Sequence, residues 1–227
     1  MVFWVTISNC ATKQEKSITK VQLEEIKPVI IEQKSLIDEI RDKKEKRLFR
    51  DIIEVYEKRK NEFTNLELLK PVIISYLAEK RFEDILKIAE EKLNKVSNID
   101  DKEISLILGI AYYEKGIFEP SRRVLSSLYE SGFKNELVNI YLAMLYQKRN
   151  QYALALSLTG EIENREKRNY LQGWILFTEG NYEKALEKFL SVKDFKDAQI
   201  YILYSLFYLN RHNEILKYFD EKKIDLN

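Results

Sequence analysis

An aromatic residue followed three positions later by a small or branched apolar one recurs five times in the chain. The copies are Phe82…Ile85, Phe118…Ser121, Tyr152…Ala155, Tyr182…Ala185 and His212…Ile215, with an imidazole in the last aromatic slot. Successive copies lie 36, 34, 30 and 30 residues apart. A second apolar stretch precedes each copy, and its small residues fall into register: Gly109 and Gly173 share a slot with Ile73, Ala143 and Leu203. Gly116 and Gly180 share another with Lys80, Asn150 and Asn210. A period of this length describes a supersecondary unit that cannot bury its apolar side alone and must stack on its neighbours.

Each unit reads as two antiparallel helices. A small residue at the crossing lets the backbones approach, and Gly or Asn at the turn accepts a left-handed conformation at the end of the first helix. With only 6 Gly and 3 Pro in 227 residues, composition favours helices on short connections over sheets. The register predicts first and second helices near 66–79/82–95, 103–115/119–130, 136–148/152–162, 167–179/182–192 and 196–209/213–222. Pro120 falls in the first turn of its helix, where a missing N–H is harmless, and Pro71 falls early in the first helix, where it is similarly tolerable, unless that helix starts at Pro71 itself.

These residues resemble the tetratricopeptide repeat family. The best copies are Leu108-Gly109…Tyr112…Gly116-Ile117-Phe118…Ser121…Leu125 and Gly173…Leu176…Gly180-Asn181-Tyr182-Glu183-Lys184-Ala185…Phe189. The resemblance implies an all-α, right-handed α-solenoid of five stacked antiparallel hairpins over 66–227 and a role as a protein–protein interaction scaffold. The proline that closes each family repeat is absent here. The last two copies run four residues short of 34, which should shorten the second helix or its following loop.

In such a stack the first helices line the concave side. Ile74, Ile110, Met144, Trp174 and Tyr204 are then the central inward residues, with Leu77, Ile107, Tyr113, Tyr141, Tyr170, Phe177, Tyr201 and Tyr208 one turn away. This stripe is apolar and aromatic, the mixture expected where a protein partner docks. Members of the family that grip a chaperone's C-terminal carboxylate carry Lys, Asn and Arg there. This chain has Ile107 and Ile110, Tyr141 and Met144, and Tyr170 and Trp174, which argues for a helix or apolar segment as partner.

Residues 18–62 form a helical arm without Gly and with only Pro28. Leu23, Ile26, Ile30, Leu36, Ile37 and Ile40 recur at helical spacing, followed by Leu48, Ile52, Ile53 and Tyr56. Either one helix of about 40 residues, roughly 60 Å long, or a hairpin turning inside Arg41–Arg47 fits; the lack of a turn residue favours the long helix. The arm packs on the repeats or engages another protein, including a second copy as a homodimer.

The first 17 residues read as a flexible terminus or a tether. Val2–Ile7 is too short to span a bilayer, which needs roughly 20 apolar residues. Followed by Cys10, it resembles the end of a bacterial lipoprotein signal, although Ser8-Asn9 departs from the usual small-residue pattern. Lipid on Cys10 would make the protein a membrane-anchored repeat subunit of an envelope assembly; otherwise Cys10 is incidental and the protein cytoplasmic.

The same sequence excludes most chemistry. One His and one Cys cannot assemble a zinc cluster, a Cys–His pair or a Ser-His-Asp triad, nor can a disulfide form within the chain. No phosphate-binding glycine loop is present. No catalytic residue, cofactor or metal is expected. The 38 basic and 37 acidic residues leave a formal charge of +1, so no nucleic-acid partner is expected. The one basic cluster, Arg41, Lys43, Lys44, Lys46, Arg47 and Arg50, offers weak nucleic-acid binding as the alternative of another class.

Overall fold

The computed structural model describes residues 35–93, 101–193 and 196–222, and every regular element among them is helical. Two compact units result, Met1–Ile99 and Asp100–Asn227. The first contains α1 (35–45), α2 (Phe49–Lys58), a 3-10 turn at Lys60–Glu62, α3 (Leu66–Ala78) and α4 (Phe82–Glu91). The second contains α5 (Lys102–Glu114), α6 (Phe118–Glu130), α7 (Glu136–Lys148), α8 (Tyr152–Thr159), α9 (Arg165–Glu179), α10 (Tyr182–Leu190), α11 (Lys196–Tyr208) and α12 (His212–Lys222). Helices pair in chain order as antiparallel hairpins, so the first of the five copies groups with the arm.

One device ends every first helix. Residues Lys80, Gly116, Asn150, Gly180 and Asn210 hold φ of 56°, 75°, 59°, 90° and 59°. At each, the N–H of the left-handed residue and that of the next residue donate to carbonyls of the last turn. Gly180 donates to Phe177 O at 3.0 Å and Asn181 to Leu176 O at 2.9 Å. These bonds satisfy carbonyls that the helix itself leaves open. Lys80 makes the same bonds at the steric cost an L-residue bears in that conformation.

The device also ends α6 at Gly132, and a further copy lies in the arm. Arg47 has φ of 55°, its N–H donates to Lys44 O, and the Leu48 N–H donates to Lys43 O. The single 40-residue helix favoured by the sequence is therefore broken, and α1 and α2 form the hairpin. Phe49…Ile52 then repeats the aromatic-plus-three spacing 33 residues before Phe82. Leu36, Ile40, Ile52, Ile53 and Tyr56 are buried, as are Phe63, Val72, Ile73 and Tyr76. Tyr56 packs edge-on against Phe63 and Tyr76, with centroids 5.1 and 6.2 Å away.

Helix starts follow a second rule. Asn65, Asp101, Asn135 and Asn164 cap α3, α5, α7 and α9 with their side chains, each accepting from a first-turn N–H. The Asn65 cap fixes α3 to begin at Leu66, so Pro71 is its sixth residue and lies beyond the open N–H groups. Its placement costs the helix a hydrogen bond, contrary to the expectation that it sits harmlessly early.

The crossing glycines make the close approach expected of them. A Cβ on Gly109 would meet Leu125 Cδ2 at 2.7 Å, and one on Gly173 would meet Phe189 Cε1 at 2.9 Å. Ser121 on α6 donates to Gly109 O at 2.7 Å, linking the two helices at the crossing. The shortened copies take their deficit largely from the second helix: α8 and α10 have 8 and 9 residues, where α6 has 13.

Candidate functional site

The predicted inward residues meet three different fates. Ile107 and Ile110 are only 3% and 4% exposed and belong to the core. Their placement on an open face is corrected: the apolar sides of α5 are taken up in packing. Ile74 and Leu77, in the first unit, are half-buried. The other nine lie in the second unit, and their exposure rises along it.

At the near end Tyr113 is half-buried, its ring against Phe118 at 5.6 Å and Tyr141 at 5.1 Å. Burial pushes its hydroxyl up to about 12. The Tyr141 hydroxyl donates to Glu114 Oε1 at 3.0 Å, and burial with that bond raises its pKa too. Lys148 Nζ stands 4.8 Å from the Phe118 ring centre and 5.8 Å from that of Tyr113. This cation–π arrangement closes the edge of the cluster with a charge. Met144 and Trp174 follow, both half-buried.

At the far end the rings form one continuous cluster. Phe177 touches Tyr182, Tyr201, Tyr204 and Tyr208 at centroid distances of 5.3, 5.4, 6.4 and 5.8 Å. Tyr201 stacks on buried Phe189 at 5.1 Å, and Tyr208 stacks on Tyr182 at 4.6 Å. Tyr170 packs against Phe189 and Tyr201; its hydroxyl is pushed up to about 12, chiefly by burial. Tyr204 and Tyr208 remain 52% and 53% exposed. Single exposed apolar residues are ordinary; here two exposed rings join a contiguous aromatic group that is otherwise half-buried or buried. His212 begins α12, exposed, with its ring 6.2 Å from Phe207.

A polar cleft of about 1160 Å³ opens between the α6–α7 and α8–α9 connections, and the sequence reading had not anticipated it. Tyr129 and Asn139 both donate to Glu161, at 2.7 and 3.3 Å, and Lys167 pairs with Glu136 at 3.2 Å. The hydrogen bond to Glu161 raises the Tyr129 pKa. These carboxylates serve as acceptors that join successive hairpins, and their role is structural. Among the described residues no group of His, Cys, Asp or Glu could hold a metal ion, and no helix is long and apolar enough to cross a membrane.

Four of the six cations in Arg41–Arg50 face carboxylates. Arg41 pairs with Asp38 and Glu67, Lys43 with Glu39, Lys46 with Asp42 and Arg50 with Glu79, at 2.8 to 3.8 Å. Cys10 lies outside the described residues.

No protein-family model matches the chain, and no curated protein matches it. Solved structures do. MamA of MSR-1 (C2 form) is 22% identical with a TM-score of 0.53, over 76% of this chain and 99% of that one. MamA of AMB-1 (P212121 form) is 22% identical with a TM-score of 0.51, over 67% and 87%. YrrB, described as a TPR protein with an unusual peptide-binding site, is 17% identical with a TM-score of 0.52, over 74% and 89%. At these identities the likeness speaks for architecture alone: an all-α array of stacked antiparallel hairpins with a tetratricopeptide-like fold.

Proposed function

We propose that Asp100–Asn227 docks an apolar, helical segment of a partner protein on the face of its first helices that carries Met144, Trp174, Tyr204 and Tyr208. The observation that supports this is the exposure gradient. The apolar residues of α5 are sealed, whereas the rings of α11 are half open and joined to one cluster beneath them. A rigid aromatic platform loses little side-chain freedom on binding, and phenolic hydroxyls at its edge supply hydrogen bonds. An amphipathic helix would lay anchors at i, i+3 or i+4 and i+7 across it. YrrB, a fold neighbour with a peptide-binding site, makes the same class of ligand reasonable here. Catalysis plays no part in this reading.

Photo-crosslinking tests it. A benzophenone side chain is installed at Trp174 or Tyr204, and at Leu154, which is 50% exposed on the second helix α8. Crosslinking to one protein segment from the first two positions, absent from the third and removed by competition with the synthetic segment, is the expected result. Equal labelling from Leu154, with helical signal unchanged in all three variants, would overturn the assignment. The basic segment offers nucleic acid a weaker case, because four of its cations already face carboxylates.

A further inference from the structure

The docking face proposed above is uncharged across its middle and carries charge at two opposite corners. Counted at about 100° per residue from Met144, Trp174 and Tyr204, three charged residues of α7, α9 and α11 fall within about 40° of the central inward direction. They are Lys148, Lys167 and Asp197. The ammonium of Lys167 is taken by Glu136 at 3.2 Å. Lys148 and Asp197 are exposed, and neither makes an ion pair among the described residues. Lys148 ends α7, one turn beyond Met144, with Nζ held over the rings of Phe118 and Tyr113. Asp197 stands in the first turn of α11, two turns before Tyr204. Its carboxylate adds to burial and to Tyr201 in holding the Tyr170 hydroxyl protonated, so it lies beside the ring cluster.

First helices of successive hairpins are neighbours, α7 with α9 and α9 with α11. Two spacings of about 8–10 Å and an axial offset of about 16 Å separate Lys148 from Asp197 by roughly 25 Å. The diagonal between them passes Trp174 and Tyr170 on α9, with Met144 and Tyr204 on its flanks. A helix of about 16 residues has that length. Its middle would meet apolar side chains, and its two ends a cation and a carboxylate that no described side chain pairs. Charges at the border of an apolar interface fix orientation and discriminate between partners more than they add affinity. We propose that Lys148 and Asp197 select the docked helix by the charges at its two ends. It carries an Asp or Glu where it meets Lys148 and a Lys or Arg where it meets Asp197, four to five turns away, with apolar anchors between. The inference rests on the docking reading and adds to it the length and charge order of the segment.

The test uses the full 227-residue chain and, as a labelled synthetic peptide, the segment crosslinked from Trp174 and Tyr204. In anisotropy titrations at low salt, Lys148→Gln and Asp197→Asn should each raise Kd about two- to fivefold, the worth of an exposed ion pair. Lys148→Glu and Asp197→Lys should raise it further, and high salt should shrink all four differences. A peptide with its acidic end neutralised should no longer distinguish Lys148→Gln from wild type, and one with its basic end neutralised should no longer distinguish Asp197→Asn. Lys184→Glu, exposed on the second helix α10, should leave every Kd unchanged. Unchanged affinity in either Lys148→Glu or Asp197→Lys, with wild-type helical signal, would overturn the charge selection and leave the docking reading intact. So would a bound segment with the opposite charge order. Failure to find one segment crosslinked from both Trp174 and Tyr204 would instead sink the docking reading and this inference with it.

Discussion

Replacing Gly173 with alanine should weaken the stack, although alanine is the better helix former. An ideal Cβ there lies 2.9 Å from Phe189 Cε1 and 3.0 Å from Cδ1 and Cζ. Carbon atoms prefer about 3.5–4.0 Å, so the ring must retreat by roughly 0.5–1 Å. Its freedom to do so is small. Phe189 is fully buried, stacked on Tyr201 at 5.1 Å and met by Tyr170 at 5.9 Å. Overpacking of this kind costs about 1–3 kcal/mol, and the helix propensity of alanine over glycine returns about 1 kcal/mol. The constrained ring puts the net loss near 1–2 kcal/mol. For a chain of this size that is a fall of roughly 2–8 °C in Tm. Urea unfolding followed by helical signal and by Trp174 fluorescence measures it. Phe189→Leu removes the obstacle, so the double variant should lose at least about 1 kcal/mol less than the two single losses combined. A Gly173→Ala protein as stable as the wild type would refute the close-crossing argument, since propensity alone would then decide the sign.

Three further outcomes are expected. Tyr113 and Tyr170 are held protonated by burial, with pKa values pushed up to about 12 against an ordinary value near 10. Their contribution is complete below the unfolded value and is lost as pH rises through the folded one, so stability should fall between pH 10 and 12; Tyr113→Phe and Tyr170→Phe should each flatten that fall in alkaline melting curves. Lys80→Gly relieves a left-handed lysine at φ 56° and should raise stability by about 0.5–1 kcal/mol after the entropy cost of glycine, with Asn150→Gly giving less; a loss in Lys80→Gly would refute this. Native-state hydrogen exchange should show weaker protection in α11 and α12 than in α7 and α9, because among the described hairpins α11 and α12 have a neighbour on one side only.

Gly116, Gly180, Asn150 and Asn210 told the turn positions outright, because so few residue types tolerate positive φ there. Gly109 and Gly173 told the crossings for an equally local reason. Arg47 hid the hairpin of α1 and α2, since arginine is no turn signal; the missed clue was Phe49…Ile52, one period before Phe82. The Asn and Asp caps were also legible at 65, 101, 135 and 164, had the start of each first helix been sought instead of its end. Exposure was not legible. A helical wheel gives Ile110, Met144, Trp174 and Tyr204 the same angle, yet Ile110 is 4% and Tyr204 52% exposed. Burial depends on what the neighbouring hairpins contribute, and that is a tertiary quantity.

The same dependence underlies the proposal that docking lies toward the C-terminal end of the second unit. Each interior first helix uses one side to sit on the hairpin before it and another to receive the hairpin after it. Rings placed between those sides are held by both their own and the next hairpin, as Phe177 is by Tyr182 and Tyr201. α11 is held from one direction only. Its apolar side chains cannot be satisfied by further packing among the described hairpins, and the exposed pairs Arg149–Glu119 and Arg211–Glu183 that bridge hairpins elsewhere contribute little. An apolar gain still open among the described hairpins therefore lies where Ile200, Tyr204, Phe207 and Leu216 meet water, and Tyr204 is the residue it shares with the proposed docking face.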